Sequence, residues 1–260
     1  MAPVALVCKI LYYRNMVPIT RHRLNTVIAG LEPGVPVTVR DLEASQISAD
    51  LAGHYHAAGW LERLARGIYA KPGAALDLDA SLVLLQQTIS GLHVAGRSAL
   101  ERHGIQQYLA PSRPLTLLGA ASARLPSWFT TRFPASYHRK RLFDEPHGEL
   151  LYVHPMGARS RQPLVSDPER ALLELLSEVG NRQPLQEARE LFEGAHTFRA
   201  SALQKLLERC ASVKTVRLCL ALGREFGLPW ARDLNTSTLP TGSGQRWVRR
   251  TPEGLLVLKP

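Results

Sequence analysis

The chain has 260 residues, of which 45% are hydrophobic and 21% charged, a globular balance with enough apolar material for one large or two unequal domains. Its three cysteines, Cys8, Cys210 and Cys219, form no close pair, which excludes a disulfide framework or a thiolate metal cage and predicts a reduced cytoplasmic setting. The net charge of +10, carried by 26 Arg and 6 Lys, favours a polyanionic partner, although genomic base composition explains the excess of Arg equally well.

The first stretch of the chain is a short apolar run that Lys9 interrupts. It lacks the basic start of a signal peptide and the length of a membrane span, so we expect no membrane partner. We expect residues 1–18 to form an N-terminal extension. Because Met16 lies just before the first helical pattern, residues 1–15 are either loosely held or the product of a start codon chosen too far upstream.

Residues 19–73 have the order of elements of a winged helix-turn-helix. In TRHRLNTVIAGL, apolar residues recur at helical spacing over 24–31. Thr38 and Ser48 are natural N-caps of a second and a third helix, and Gly59 ends the third. The next segment, GWLERLARGIYAKP, predicts a two-stranded wing.

The tip of this wing is Arg66-Gly67, where nothing structural requires an arginine. We expect the apolar residues of the two strands to anchor the wing to the core: Trp60, Leu61, Leu64, Ile68 and Tyr69.

The third helix carries few side chains that read bases. Helical spacing turns Ile47, Leu51, Tyr55 and Ala58 inward and leaves small residues and histidines outward, with Ala52 on a shoulder. No outward Arg, Lys, Asn or Gln is available for bidentate readout, so flanking cations must supply much of the affinity. The predicted DNA-binding residues are Arg21, Arg23, Arg40, Ser48, His54, His56, Arg63, Arg66 and Lys71. The alternative is a winged helix that serves protein contacts.

Residues 76–260 predict a larger mixed domain, so the whole chain is assigned to the α+β class. A buried helix (ASLVLLQQTI) and a strand (LHVA) come first, and Ser98 with Glu101 predicts a capping box. A sheet is expected from PLTLLG, SWFTTRF, SYHRKRLF and ELLYVHP. Ser166 with Glu169 predicts a second capping box, which opens three or four helices, and QRWVRRTPEGLLVLKP predicts a closing β-hairpin.

Catalytic and metal-binding patterns are poor. Ser98 lacks the second glycine of a nucleophile elbow, and TGSGQR is better read as a turn than as a phosphate loop. His54 and His56 are two positions apart on a helix, so they do not form a ligand pair on one face. We therefore predict no enzyme, no metal and no cofactor.

Further basic residues are candidates for a second nucleic-acid surface or another functional surface. HRKR and QRWVRR lie in strands, where alternation puts only about half of each cluster on one face, and a solvated sheet face is the common alternative. The candidates are Arg139, Lys140, Arg141, Lys214, Arg217, Arg246 and Arg249.

From about Leu24 to the end, the sequence resembles the AbiEi family of antitoxin-repressors of type IV toxin-antitoxin systems. The resemblance lies in GWLERLARGIYAKPG, LHVAGRSALERHGIQQYL, LPSWF, SDPERALLELL, LLERCASVKTVRLCLALG and GSGQRWV, in this order. It departs from the family at Val216 and Gln245, where basic residues are usual. Either functional contacts have been loosened at these positions, or the two residues have drifted on the surface.

The resemblance implies a winged helix-turn-helix that binds promoter DNA and represses its own operon, followed by an antitoxin domain. The implied functional partner is a nucleotidyltransferase toxin encoded by the adjacent gene. A rival hypothesis is a protein-binding module that sequesters this toxin directly through Lys214, Arg217 and the neutral helical segment, with the winged helix as an adaptor. An enzyme that reverses the toxin's product has no support in the sequence.

Overall fold

The computed structural model describes residues 28–105, 113–145, 149–157, 161–251 and 254–258. The chain divides into two compact units, residues 1–77 and 78–260. The expected extension and the candidates Arg21 and Arg23 lie outside the described residues. No helix in the described ranges is both long and apolar enough to cross a membrane.

The first unit is a helix-turn-helix followed by a wing. Residues 28–30 are the described end of a helix, and a three-stranded antiparallel sheet has the order β1-β3-β2. The further elements are β1 (Val37–Thr38), α1 (Val39–Ala44), α2 (Ala49–Ala57), β2 (Glu62–Ala65) and β3 (Ile68–Ala70).

Local signals set the helix ends in this unit as predicted. The Thr38 side chain accepts a hydrogen bond from the backbone of Asp41, and the Asp41 carboxylate accepts one in return from the backbone of Thr38. This capping box begins α1. Ser48 caps α2 through the backbone N–H of Leu51. Gly59 ends α2 with φ of 79°, a left-handed conformation that suits glycine.

The inward face of α2 differs from the predicted face. Ala52 is fully buried between Ile47 and Tyr55, whereas Ala58 is exposed. Ala52, expected on a shoulder, therefore belongs to the core-facing side together with Tyr55, and half-buried Leu51 packs against the same core. Trp60 was expected to anchor the wing but is 44% exposed, because the chain leaves α2 at Gly59 and turns Leu61 inward in its place.

The second unit is built on a five-stranded mixed sheet of order β6-β5-β4-β8-β7. The pairs β4–β8 and β5–β6 are parallel, and β4–β5 and β7–β8 are antiparallel. The strands are β4 (His93–Val94), β5 (Leu115–Gly119), β6 (Ala135–Arg139), β7 (Val153–Pro155) and β8 (Leu164–Ser166). A separate antiparallel hairpin closes the chain with β9 (Trp247–Thr251) and β10 (Gly254–Leu258).

Helices cover this sheet and form most of the core. They are α3 (Leu78–Thr88), α4 (Gly96–Arg102), α5 (Ser127–Thr130), α6 (Pro168–Glu178), α7 (Leu185–Glu193), α8 (Ala200–Glu208), α9 (Val213–Glu225) and α10 (Pro229–Asp233). α6 is the central helix: α4, α8 and α9 pack on it, and every residue from Glu169 to Ser177 is buried. β10 packs on α9.

Three local predictions for this unit were wrong. Ser98 does not cap α4: its buried hydroxyl accepts a hydrogen bond from the Thr116 backbone, and so joins the helix to β5. Ser166 ends β8, a strand not predicted. The N-cap position of α6 is Asp167, whose side chain makes no capping hydrogen bond. The segment SWFTTRF forms α5 because Trp128 and Phe129 are both buried, a pattern that a helix provides and a one-sided strand does not.

Candidate nucleic-acid interface

The described cations of the first unit face solvent. Arg40 on α1, Arg63 on β2 and Arg66 at the wing tip are exposed, and Lys71, which follows β3, is half-buried. Within the described residues, no ion pair joins any of the four to an acidic side chain. Their positive charge is therefore available to a partner.

The wing tip is fixed against the start of α1. The backbone N–H of Val39 donates to the carbonyl of Gly67 at 2.9 Å, and Thr38 pairs with Ile68 in the sheet. Gly67 has φ of 76°, so the tight turn depends on it. The hydrogen bond joins the residue before Arg40 to the residue after Arg66, so the start of α1 and the wing tip are adjacent in the fold.

The candidates on α2 are less available. The hydroxyl of Ser48 already caps the helix through the Leu51 backbone. His56 donates from Nδ1 to the Leu61 carbonyl at 3.2 Å, which leaves Nε2 for a partner. His54 is exposed on the helix surface. Small residues and two histidines thus make up the outward face, as predicted, and offer little direct base readout.

The HRKR segment of the second unit is partly used within the fold. Lys140 forms an ion pair with Glu178, and Arg139 donates from Nε to the Ala120 carbonyl at 3.2 Å. Burial lowers the pKa of His138, and the charge of Arg182 lowers it further, so this ring is neutral at pH 7. Arg141 is exposed. The segment is therefore less cationic than its sequence suggests.

Two candidates of the docking face proposed from the sequence are buried. Lys214 is 8% exposed and donates from Nζ to the carbonyls of Ser177 at 2.8 Å and Val179 at 2.9 Å. It thus satisfies the C-terminal end of α6, where a cation is favoured by the helix dipole. Arg217 is 5% exposed and holds the loop before β9. The expectation that both lie on an open surface was wrong.

The remaining departures and candidates have mixed positions. Val216 is fully buried, so surface drift does not explain the absence of a basic residue there. Gln245 and Arg246 are exposed. Arg249 lies opposite Leu256 in the closing hairpin, and its side chain is outside what the structure describes.

A buried cluster of charges in the second unit was not predicted from the sequence. The Glu174 carboxylate accepts hydrogen bonds from His93 Nε2 at 3.0 Å, Arg170 Nε at 2.7 Å, the Gly96 backbone at 3.1 Å and the Ser166 hydroxyl at 2.9 Å. Burial alone would raise the pKa of Glu174, but His93 and Arg170 hold it at about 2.

This cluster, which we call the Glu174 network, joins α6 to β4, α4 and β8. No group of His, Cys, Asp and Glu in the described ranges is arranged to hold a metal ion. The hydrogen bonds of the network tie α6 to its neighbouring elements. The available signal was the pair Arg170 and Glu174, four residues apart on either side of the apolar run Ala171–Leu173.

Comparison with known families fits this architecture. Residues 20–111 match the model described as the AbiEi antitoxin N-terminal domain, a transcriptional regulator. Residues 112–259 match the model described as transcriptional regulator, AbiEi antitoxin, type IV TA system. The chain belongs to the AbiEi antitoxin family. The border between the two matches falls inside the second compact unit, whose sheet takes β4 from the first match and its other four strands from the second.

A solved structure supports the fold. The crystal structure of RV2827C protein from Mycobacterium tuberculosis is similar with a TM-score of 0.54 and 16% sequence identity, over 90% of each chain. No curated protein matches the sequence. As an AbiEi antitoxin, the chain is a transcriptional regulator of a type IV toxin-antitoxin system, and its first unit is a winged helix-turn-helix.

Proposed function

We propose that this AbiEi antitoxin binds the promoter DNA of its own operon through the first unit and represses it. The observation that carries the proposal is the Val39–Gly67 hydrogen bond, which joins the start of α1 to the wing tip. Each of these two places carries an exposed arginine, Arg40 and Arg66, without an acidic partner in the described part of the chain. Two such exposed cations match the phosphate backbone of a duplex.

The chemistry of α2 determines the kind of binding. Because its outward face lacks bidentate readers, phosphate contacts from α1 and the wing contribute most of the affinity. Specificity then depends on His54, on Nε2 of His56 and on the shape of the operator. The affinity for DNA should accordingly fall steeply as the salt concentration rises.

The test is a titration of a fluorescent duplex from the DNA upstream of the reading frame, at several salt concentrations. Arg66→Ala should weaken binding to operator and unrelated DNA alike and reduce the slope of log K against log salt by about one. Arg232→Ala is the matched control, since Arg232 is exposed in the second unit. A slope that Arg66→Ala leaves unchanged would remove the wing from the interface.

We further propose that residues 76–260 neutralise a nucleotidyltransferase toxin encoded beside this gene. The family's antitoxin role and the separate folding core of the second unit support this division. Co-expression of the toxin with the Arg66→Ala protein should preserve growth while repression is lost. Loss of both together would assign neutralisation to the first unit.

A further inference from the structure

A cleft in the second unit combines cationic and aliphatic walls. It measures about 440 Å³ and lies between α9, the loop before β9 and the strand β10. Arg217 and Arg224 contribute the charges, and Leu220, Val257 and Leu258 contribute aliphatic surface. No carboxylate is among its lining residues in the described ranges.

Arg217 is a buried cation without an acidic partner among the described residues. Its Nε donates to the Thr241 carbonyl at 2.7 Å and its Nη1 to the Gln245 carbonyl at 2.5 Å. No ion pair joins it to an acid within the described residues, and its Nη2 lies beside Gly242 with no hydrogen bond there. A guanidinium removed from water is costly unless it is paired, so this group favours an anion that enters the cleft.

The loop before β9 shapes the cleft around this charge. A Cβ atom added to Gly242 would lie 3.1 Å from Val213 and 3.5 Å from Arg217 Nη2, so glycine permits the close approach of the backbone. The motif GSGQR therefore wraps the guanidinium of the motif SVKTVRL. Two segments 24 or more residues apart form one site.

The neighbouring hairpin leaves apolar side chains uncovered. Val248 is 53% exposed, Val257 42% and Leu255 66%. Val248 is paired directly with Val257, and Leu255 is two residues away on the same strand, so the three share one face. Because Val257 also lines the cleft, this exposed face continues into it.

We propose that the cleft and this face dock a segment of a partner protein in which an Asp or Glu side chain stands between aliphatic residues. The carboxylate pairs with Arg217 and Arg224, and the aliphatic residues cover Val257 and Leu255. Charge complementarity selects this occupant. Nucleic acid fits less well, since half of the lining is aliphatic and no aromatic ring in it stacks a base.

The inference goes beyond promoter binding and concerns the second unit alone. Its test can therefore fail while the Arg66→Ala titration succeeds, and it can succeed while that titration fails. Since Arg217 also holds a loop, the test uses positions at the surface. Arg224→Gln removes a positive charge, and Val257→Asp adds a carboxylate that repels an acidic ligand. Arg232→Gln is the control, with the same charge change as Arg224→Gln.

In the experiment, a random library of twelve-residue peptides is selected for binding to the full-length protein. Peptides that also bind the Val257→Asp protein are removed by counter-selection. We expect enriched peptides with an Asp or Glu flanked by Leu, Ile or Val. By fluorescence anisotropy, Glu→Gln in a selected peptide should weaken binding about tenfold, as should Arg224→Gln in the protein, whereas Arg232→Gln should leave it unchanged.

Other outcomes would overturn the proposal. These are an absence of enrichment, enriched peptides without an acid, and equal binding to the Arg224→Gln and control proteins. A fluorescent single-stranded RNA provides the competing test. The cleft would be assigned to nucleic acid if this RNA bound the wild type, if no peptide displaced it, and if Arg224→Gln and Val257→Asp abolished its binding. Circular dichroism of each variant verifies that the fold is retained.

Discussion

Gln46 shows how a single residue adjusts the helix-turn-helix. It lies in the turn between α1 and α2 with φ of 64°, a left-handed conformation that costs a non-glycine residue about 1–2 kcal/mol. The turn is nevertheless maintained, because the Gln46 backbone donates to the Glu43 carbonyl and Ile47 anchors the next position in the core.

Gln46→Gly should therefore stabilise the first unit. Relief of the backbone strain exceeds the greater entropy of glycine in the unfolded chain, which leaves a gain of about 0.5–1 kcal/mol. Urea denaturation monitored by the fluorescence of Trp60 measures it. Ser45→Gly is the control: with φ of −94° this neighbour has no such strain, and the change should destabilise. A loss of stability in Gln46→Gly would show that its side chain, and not its backbone, matters.

At the scale of elements, α6 illustrates how buried charge is used in this fold. The helix is buried along its length, yet Arg170 and Glu174 stand on it four residues apart. The buried pair is satisfied because His93, Ser166 and the Gly96 backbone complete the coordination of the Glu174 carboxylate. The network fixes α6 in one register against the sheet.

Glu174→Gln tests this role of the network. Removal of the charge leaves His93 without its carboxylate partner and Arg170 with Glu145 as its remaining anion. Removing one partner of a buried ion pair costs about 3–5 kcal/mol. Thermal denaturation of the full chain should show the loss in the transition of the second unit. Glu193→Gln, at an exposed position of α7, should change little. Equal effects of the two substitutions would contradict a structural network.

At the scale of the whole molecule, lowered carboxyl pKa values link stability to pH. Burial would raise the pKa of Glu169 and Glu178, but hydrogen bonds from Arg199 and Lys140 lower them, and the pKa of Glu174 falls to about 2. A carboxyl group with a lowered pKa stabilises the native state above its ordinary value near 4.5. That stability is lost as pH falls toward 2.

We therefore expect the second unit to be equally stable from pH 7 to about 5 and to lose stability steeply below about 4.5, by about 3 kcal/mol from Glu174 alone. Denaturant titrations at successive pH values measure this loss of the free energy of unfolding at acid pH. Glu174→Gln should make the loss of stability below pH 4.5 shallower, since an amide has no proton to gain, while Glu169 and Glu178 still contribute. A loss of the same depth in that variant would trace the effect to other carboxyl groups.

The sequence by itself determined what depends on neighbours along the chain. Thr38, Ser48 and Gly59 each act within three or four residues, so their patterns predicted the helix ends, and alternation with a tight turn predicted both hairpins. Family-specific motifs, which preserve such local order, predicted membership in the AbiEi family.

Only the tertiary structure decided what depends on distant partners. It showed Lys214 and Arg217 buried on backbone carbonyls up to 37 residues away, Ser98 bonded to β5 instead of capping its helix, and Trp60 outside the core. Glu174 accepts hydrogen bonds from Gly96 and His93, which lie 78 and 81 positions earlier in the chain. Such contacts follow from how elements pack, and the free energy of burying a charge depends on partners that no local pattern identifies.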